Sequence, residues 1–118
     1  AQRVDINSFS ESLNRGLEQL KSYGFDVLLV APQYRMRLAA MVDVEPYNDV
    51  MAQIAAAEEV VLFPRFDIMR HWAENESFDL RNSDQAVQLR EAEAENRCLA
   101  DQMAGMITAA ARKAKPRP

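Results

Sequence analysis

The chain has 118 residues, of which 48% are hydrophobic and 27% charged. That is the composition of one ordinary globular domain rather than a disordered segment, and a chain of this length buries about two-thirds of its unfolded surface, enough for a core of modest margin. The formal net charge of −4 argues against a nucleic-acid partner, because a phosphate backbone calls for clustered Lys and Arg.

A single cysteine, Cys98, excludes an internal disulfide, and with a single histidine, His71, it excludes zinc sites built from Cys and His clusters. No phosphate-binding glycine loop is present, so no cofactor is expected. No apolar run approaches ~18 residues, so no membrane span is expected. The chain opens at Ala1-Gln2 with neither an initiator Met nor a signal-peptide pattern, as expected of a processed, trimmed or fragmentary chain.

From Asn7 to Tyr23, the apolar positions Phe9, Leu13, Leu17, Leu20 and Tyr23 recur at helical spacing. Asn7 or Ser8 is positioned to cap this helix, with Glu11 at a capping-box distance from Ser8. Gly24 is a natural left-handed stop. Phe25 to Ala31 reads as a strand; Val27-Leu28-Leu29-Val30 has no polar alternation, which predicts a parallel strand covered on both faces. Pro32 ends it. Gln33 to Asp43 reads as loop, with a possible helical turn over Met36 to Met41. A second helix is expected from near Pro46, which suits a first turn, with Tyr47, Val50, Met51, Ile54 and Ala55 on its buried stripe and Ala55 to Ala57 allowing close packing. Val60 to Phe63 reads as the second buried strand. Phe66 to about Asn75 reads as a third helix with Phe66, Met69 and Trp72 on one side. Glu74 to Gln85 reads as polar loop. The last helix is expected from about Ala86 to Ala114, with the stripe Leu99, Met103, Met106, Ile107 and Ala110 and a solvated ladder of Glu91, Glu93 and Glu95. Residues 1–111 read as one α/β domain or half-domain, and 112–118 as a basic flexible tail.

The order helix–strand–loop–helix–strand–helix–helix predicts parallel pairing through a crossover helix. Two parallel strands are too few for a stable sheet, and their outer edges offer unpaired N–H and C=O groups. Completion of the sheet is therefore expected from a missing N-terminal segment, from a second chain, or from a homodimer mate.

In a parallel sheet, binding groups gather at the C-terminal strand ends. Gln33, Tyr34 and Arg35 follow the first strand directly and are the binding candidates, unless they are plain loop residues with Tyr34 folded onto the core. His71 lies mid-helix beside Trp72 and reads as a surface or half-buried residue. Asp67 suits a helix first turn. Asp84, in Asn82-Ser83-Asp84, has a capping signature. Cys98 reads as a small buried hydrophobe. No Gly-x-Ser-x-Gly elbow or His-Glu-x-x-His pair occurs.

Several strings resemble the C-terminal half of the SGNH (GDSL-type) hydrolase family. Leu17 through Tyr34 is similar to a helix and strand of that family, and Tyr47-Asn48 to its Tyr-Asn at the next helix. Val61 through Trp72 is similar to the next strand and helix of exported bacterial members, and Asn96-Arg97-Cys98-Leu99-Ala100 to the opening of their last helix. The resemblance implies a three-layer α/β/α, flavodoxin-like fold with a parallel sheet, incomplete in this chain. It further implies a serine esterase activity on acyl or carbohydrate esters and a periplasmic or secreted location. The family's nucleophilic Ser, in a Gly-Asp-Ser block, and its oxyanion Gly and Asn are not in this chain. Its base is a His three residues after an Asp. Here Asp84 is followed by Gln85, Ala86 and Val87, and Asp79 leads to Asn82. Asp84 is the one catalytic carboxylate the resemblance carries over, so the chain alone is expected to be inert. The alternative is a non-catalytic relative that binds a protein or glycan at the strand-end crevice.

Overall fold

The computed structural model describes residues 5–35 and 41–113. The elements are α1 (Ile6–Ser22), β1 (Leu28–Val30), α2 (Met41–Ala57), β2 (Val61–Phe63), α3 (Arg65–Glu74) and α4 (Gln85–Lys113). This is the predicted order. The strands pair in parallel, with Leu28 opposite Val61, Leu29 opposite Leu62 and Val30 opposite Phe63. The protein is therefore α/β, mostly helical, with a small parallel sheet that has two strands among the described residues. The chain divides into two compact units, Ala1–Met69 and Arg70–Pro118.

In the first unit, Leu17, Ala31, Ile54, Ala55, Phe63, Phe66 and Met69 are buried. The stripe on α1 and the one on α2 meet where the Phe9 ring stands edge-on to that of Tyr47, centroids 5.2 Å apart. At the other end of these helices, Lys21 Nζ donates to the Glu58 carbonyl at 2.6 Å. The helix ends share one device. At α1, the Gly24 N–H donates to Lys21 O and the Phe25 N–H to Leu20 O, with Gly24 at φ 79°. That is the Schellman arrangement, which needs a left-handed residue just past the helix. The same bonds recur after α2 (Val60 N–H to Ala55 O) and after α3 (Ser77 N–H to Trp72 O), with Glu59 at φ 56° and Glu76 at φ 50° in the left-handed position.

Several expectations are corrected. β1 is shorter than Phe25–Ala31 because Phe25 spends its N–H on closing α1 and stays exposed. The sheet is not covered on both faces, since Val61 is 41% exposed. α1 is capped from Asp5, two residues upstream of the expected cap, and its backbone carbonyl accepts from the Phe9 N–H at 2.8 Å. α2 begins at Met41, so Pro46 lies inside the helix rather than in its first turn; it withholds one N–H from the ladder there. The turn expected over Met36 to Met41 falls, but for Met41, outside the described residues. Of the three alanines ending α2, only Ala55 is buried.

In the second unit, Phe78 of the 75–84 connection stacks edge-on against Trp72 at 5.1 Å. On α4, Leu99 is buried as expected, but Ile107 is 52% exposed, so the apolar stripe is not covered to its end. The glutamate ladder is not uniformly solvated either. Glu95 is buried at 8% exposure, and that burial raises its carboxyl pKa above the ordinary value. Cys98, expected inside, is exposed; it is next to buried Leu99 and so turns about 100° away from it around the helix. Arg112 and Lys113, read as the start of a flexible tail, close α4, where basic residues favour the helix C-terminus.

Candidate functional site at the strand ends

The C-terminal ends of β1 and β2 lie side by side, because the register puts Val30 opposite Phe63. The ladder extends one residue further: the Ala31 N–H donates to Phe63 O at 3.0 Å. Pro64 stops β2 directly after Phe63, and Pro32 stops β1 one residue further along the register. The residues just past the two prolines form the candidate site. Tyr34 is half-buried, its ring edge-on to that of Phe66 with centroids 5.4 Å apart and planes at 86°. Phe66 is 1% exposed. This contact fixes the loop after β1 over the start of α3. Tyr34 is thus both a residue folded onto the core and a strand-end residue. Its neighbours Gln33 and Arg35 are exposed, and Arg35 Nη2 donates to Gln33 Oε1 at 3.3 Å.

Two further residues join this end of the sheet. Arg65, the first residue of α3, donates from Nε to the Ala31 carbonyl at 2.9 Å. Asn48 of α2, 6% exposed, donates from Nδ2 to Asp67 Oδ1 at 3.2 Å. A buried amide needs such a partner, and a carboxylate acceptor makes the bond a charge-assisted one. The bond ties α2 to the first turn of α3, where the acidic Asp67 also suits the helix dipole. Sequence reasoning does not place Asn48 or Arg65 at the strand ends, although Tyr47-Asn48 is one of the strings that carry the family resemblance. Asn48 has a signal: it stands three and seven residues before Met51 and Ala55, a polar side chain on a buried stripe. Arg65 has only its place after Pro64.

Asp84 belongs to the second unit and is occupied locally. Its Oδ1 accepts from the Ala86 N–H at 2.9 Å, and its own N–H donates to Asn82 Oδ1 at 2.8 Å. Asn82 Nδ2 in turn donates to Asp79 Oδ2 at 2.8 Å. This is an N-cap closing the first turn of α4. His71 is exposed on α3, with its Nδ1 3.3 Å from Asn75 Nδ2. Among the described residues no serine hydroxyl is hydrogen-bonded to His71, and no three of the His, Cys, Asp and Glu side chains gather as a metal site would require. Nor is any helix of the described residues long and apolar enough to cross a membrane.

A parallel βαβ unit with polar residues gathered past the strand ends defines an α/β protein. The chain belongs to the non-GDSL lipase-like family, whose model matches residues 1–113. It is thus a relative of the GDSL-type hydrolases, as its strings suggested, and it contains no Gly-Asp-Ser block. No curated protein matches the chain, and no solved structure does.

Proposed function

We propose that this chain is a GDSL-like hydrolase relative that is catalytically inert alone, supplying part of a three-layer α/β/α domain of the SGNH type. The observation that carries this is the arrangement at the strand ends: a fixed aromatic at Tyr34 and fixed polar groups at Arg65, Asn48 and Asp67, with no nucleophile–base pair among the described residues. Ester hydrolysis of this type needs a nucleophile, a base within hydrogen-bond reach and preorganised oxyanion donors. The chain's one histidine, His71, sits on a helix face beside Asn75. Asp84 serves as a cap. Hydrolysis of acyl or carbohydrate esters would then require a Ser-bearing part, on an upstream segment or a second chain, that also extends the sheet.

A second reading is favoured by one observation. Gln33 and Arg35 are exposed beyond β1 and hydrogen-bonded to each other. Such a pair suits a binding module that takes a protein or a glycan in the crevice without chemistry. The experiment addressing both readings is hydrolysis of p-nitrophenyl acetate and labelling by a fluorophosphonate, on the chain alone and after mixing with any Ser-bearing partner found encoded beside it. The chain alone should read background in both. Turnover by the chain alone that a serine-directed inhibitor abolishes would overturn the proposal; turnover appearing only in the mixture would favour the first reading over the second.

A further inference from the structure

At the strand ends, the bonding capacity of Arg65 is only partly used among the described residues. A guanidinium carries five N–H donors in a rigid fork. In Arg65, Nε donates to the carbonyl of Ala31, a residue with no exposure. The acceptor is thus itself immobile, pinned by its N–H to Phe63 O. That bond at Nε anchors the guanidinium at the end of β1, so the two terminal nitrogens stay near it. Among the described residues, those nitrogens have neither a hydrogen-bond acceptor nor a carboxylate within salt-bridge distance. The next acid along the helix, Asp67, accepts from Asn48 instead. Arg65 is also half-buried rather than lying out in solvent. A half-buried cation anchored at Nε, with its terminal donors unused, has already lost part of the entropy and freedom that a flexible surface Arg keeps.

We propose that Arg65 is the anion-recognising residue of the crevice, taking a carboxylate or phosphate group of the ligand through its terminal N–H groups, with Gln33 and Arg35 on the approach. Both anions present paired oxygens that match the guanidinium fork. This inference rests on the strand ends being the functional edge, but not on whether the completed protein hydrolyses esters. It narrows the ligand class: a neutral acyl ester or an uncharged glycan leaves the fork unpaired, whereas an acidic sugar, an acidic peptide or a phosphorylated group fills it.

The test uses the full chain, with acetate and inorganic phosphate as separate probes, followed by the NMR resonances of the arginine side-chain Nε–H groups. A saturable shift of the Arg65 resonance is expected with at least one probe. Phosphate alone, or acetate alone, identifies which anion the fork prefers. Arg65→Lys keeps the charge but not the fork, and should weaken binding about ten-fold or more. Arg65→Gln should abolish it, and Arg90→Gln, an exposed position on α4, should leave it unchanged. If Arg65→Gln unfolds the chain by losing the Ala31 bond, the Lys variant and the unmodified chain's own Arg65 resonance decide. The proposal is overturned if neither probe saturates, if Arg65→Lys binds as the parent does, or if Arg90→Gln weakens binding equally. Ester turnover by the isolated chain would sink the proposed function while leaving this titration to stand or fall on its own result.

Discussion

The Tyr34–Phe66 contact holds the loop after β1 against the start of α3, and its strength can be measured. Phe66 is 1% exposed and Tyr34 half-buried, with rings 5.4 Å apart at 86°. Phe66→Ala would remove a fully buried ring and cost about 3–5 kcal/mol, a large share of a typical domain stability of about 5–15 kcal/mol. It would report on the core and little else. Phe66→Leu and Tyr34→Leu are the sharper pair, since each keeps apolar bulk while removing the edge-to-face geometry. Each should cost about 1–2 kcal/mol. The double variant should cost less than the sum, because the ring–ring interaction of about 0.5–1.5 kcal/mol is lost only once. The assay is urea denaturation followed by far-UV circular dichroism on all four proteins, reading the first unit's transition. A coupling below about 0.3 kcal/mol, the ordinary error of additivity, would show that Phe66 does not hold Tyr34. The loop after β1 would then lack a fixed position, and Gln33 and Arg35 could not serve as site residues.

The other predictions concern helix ends and one buried acid. Asp84→Ala should destabilise α4 by about 0.5–2 kcal/mol through loss of the bond from the Ala86 N–H, as measured by thermal melting. If a completed protein has ester turnover and Asp84→Ala abolishes it without changing stability, the capping role assigned to Asp84 is wrong. Glu59→Gly should raise stability by about 0.5–1 kcal/mol, because glycine takes the φ of 56° without the left-handed cost that a Cβ brings; a loss of stability there would mean the glutamate side chain matters more than its backbone. Glu95 is raised by desolvation above its ordinary pKa of 4.5. The folded state therefore binds its proton more tightly than the unfolded state does. The resulting penalty is absent below pH 4.5 and grows as pH rises through the folded-state pKa. Glu95→Gln should accordingly stabilise the protein at neutral pH more than at pH 4 in parallel urea titrations, and an equal effect at both pH values would refute the burial argument.

The elements are legible because each rests on a local signal. The stripe from Phe9 to Tyr23 makes α1 plain, Pro32 and Pro64 bound both strands, and Gly24 marks a left-handed stop that the structure shows at φ 79°. The ends of α2 and α3 use the same stop with Glu59 and Glu76 in its place. Glutamate carries no such signal, since it reaches that conformation only when the surrounding hydrogen bonds impose it. The start of α2 is hidden for a similar reason: Pro46 is common at a first turn, and here the helix begins at Met41 and tolerates it inside. Glu95 and Cys98 mislead because α4 is a long helix whose covered face shifts along its length, so a charge ladder and an apolar neighbour are poor guides to burial. At the candidate site, Gln33, Tyr34 and Arg35 are proposed from their position after a strand. Asn48 and Arg65 depend on partners 19 and 34 residues away, and no local pattern encodes those.

What joins the fold to the chemistry is how few of its fixed groups are reactive. At the strand ends the protein immobilises an aromatic ring, a guanidinium and an amide–carboxylate pair, none of them a nucleophile. At the opposite end of the same unit, Tyr23 and Phe25 are 69% and 59% exposed, with their rings 6.3 Å apart, and each of the two strands offers only three residues to its partner. A lone pair of such short strands contributes too few hydrogen bonds to stand by itself, so the first unit owes its order to the helices packed on it. Sheet extension would therefore add backbone pairing to strands already held in place, at little further ordering cost. If that is how the domain is completed, amide hydrogen exchange on β1 and β2 should slow on adding a sheet-completing partner while the α1 and α2 amides stay nearly unchanged. Protection spreading equally through the helices would instead mean that the unit is not preformed and folds only on association.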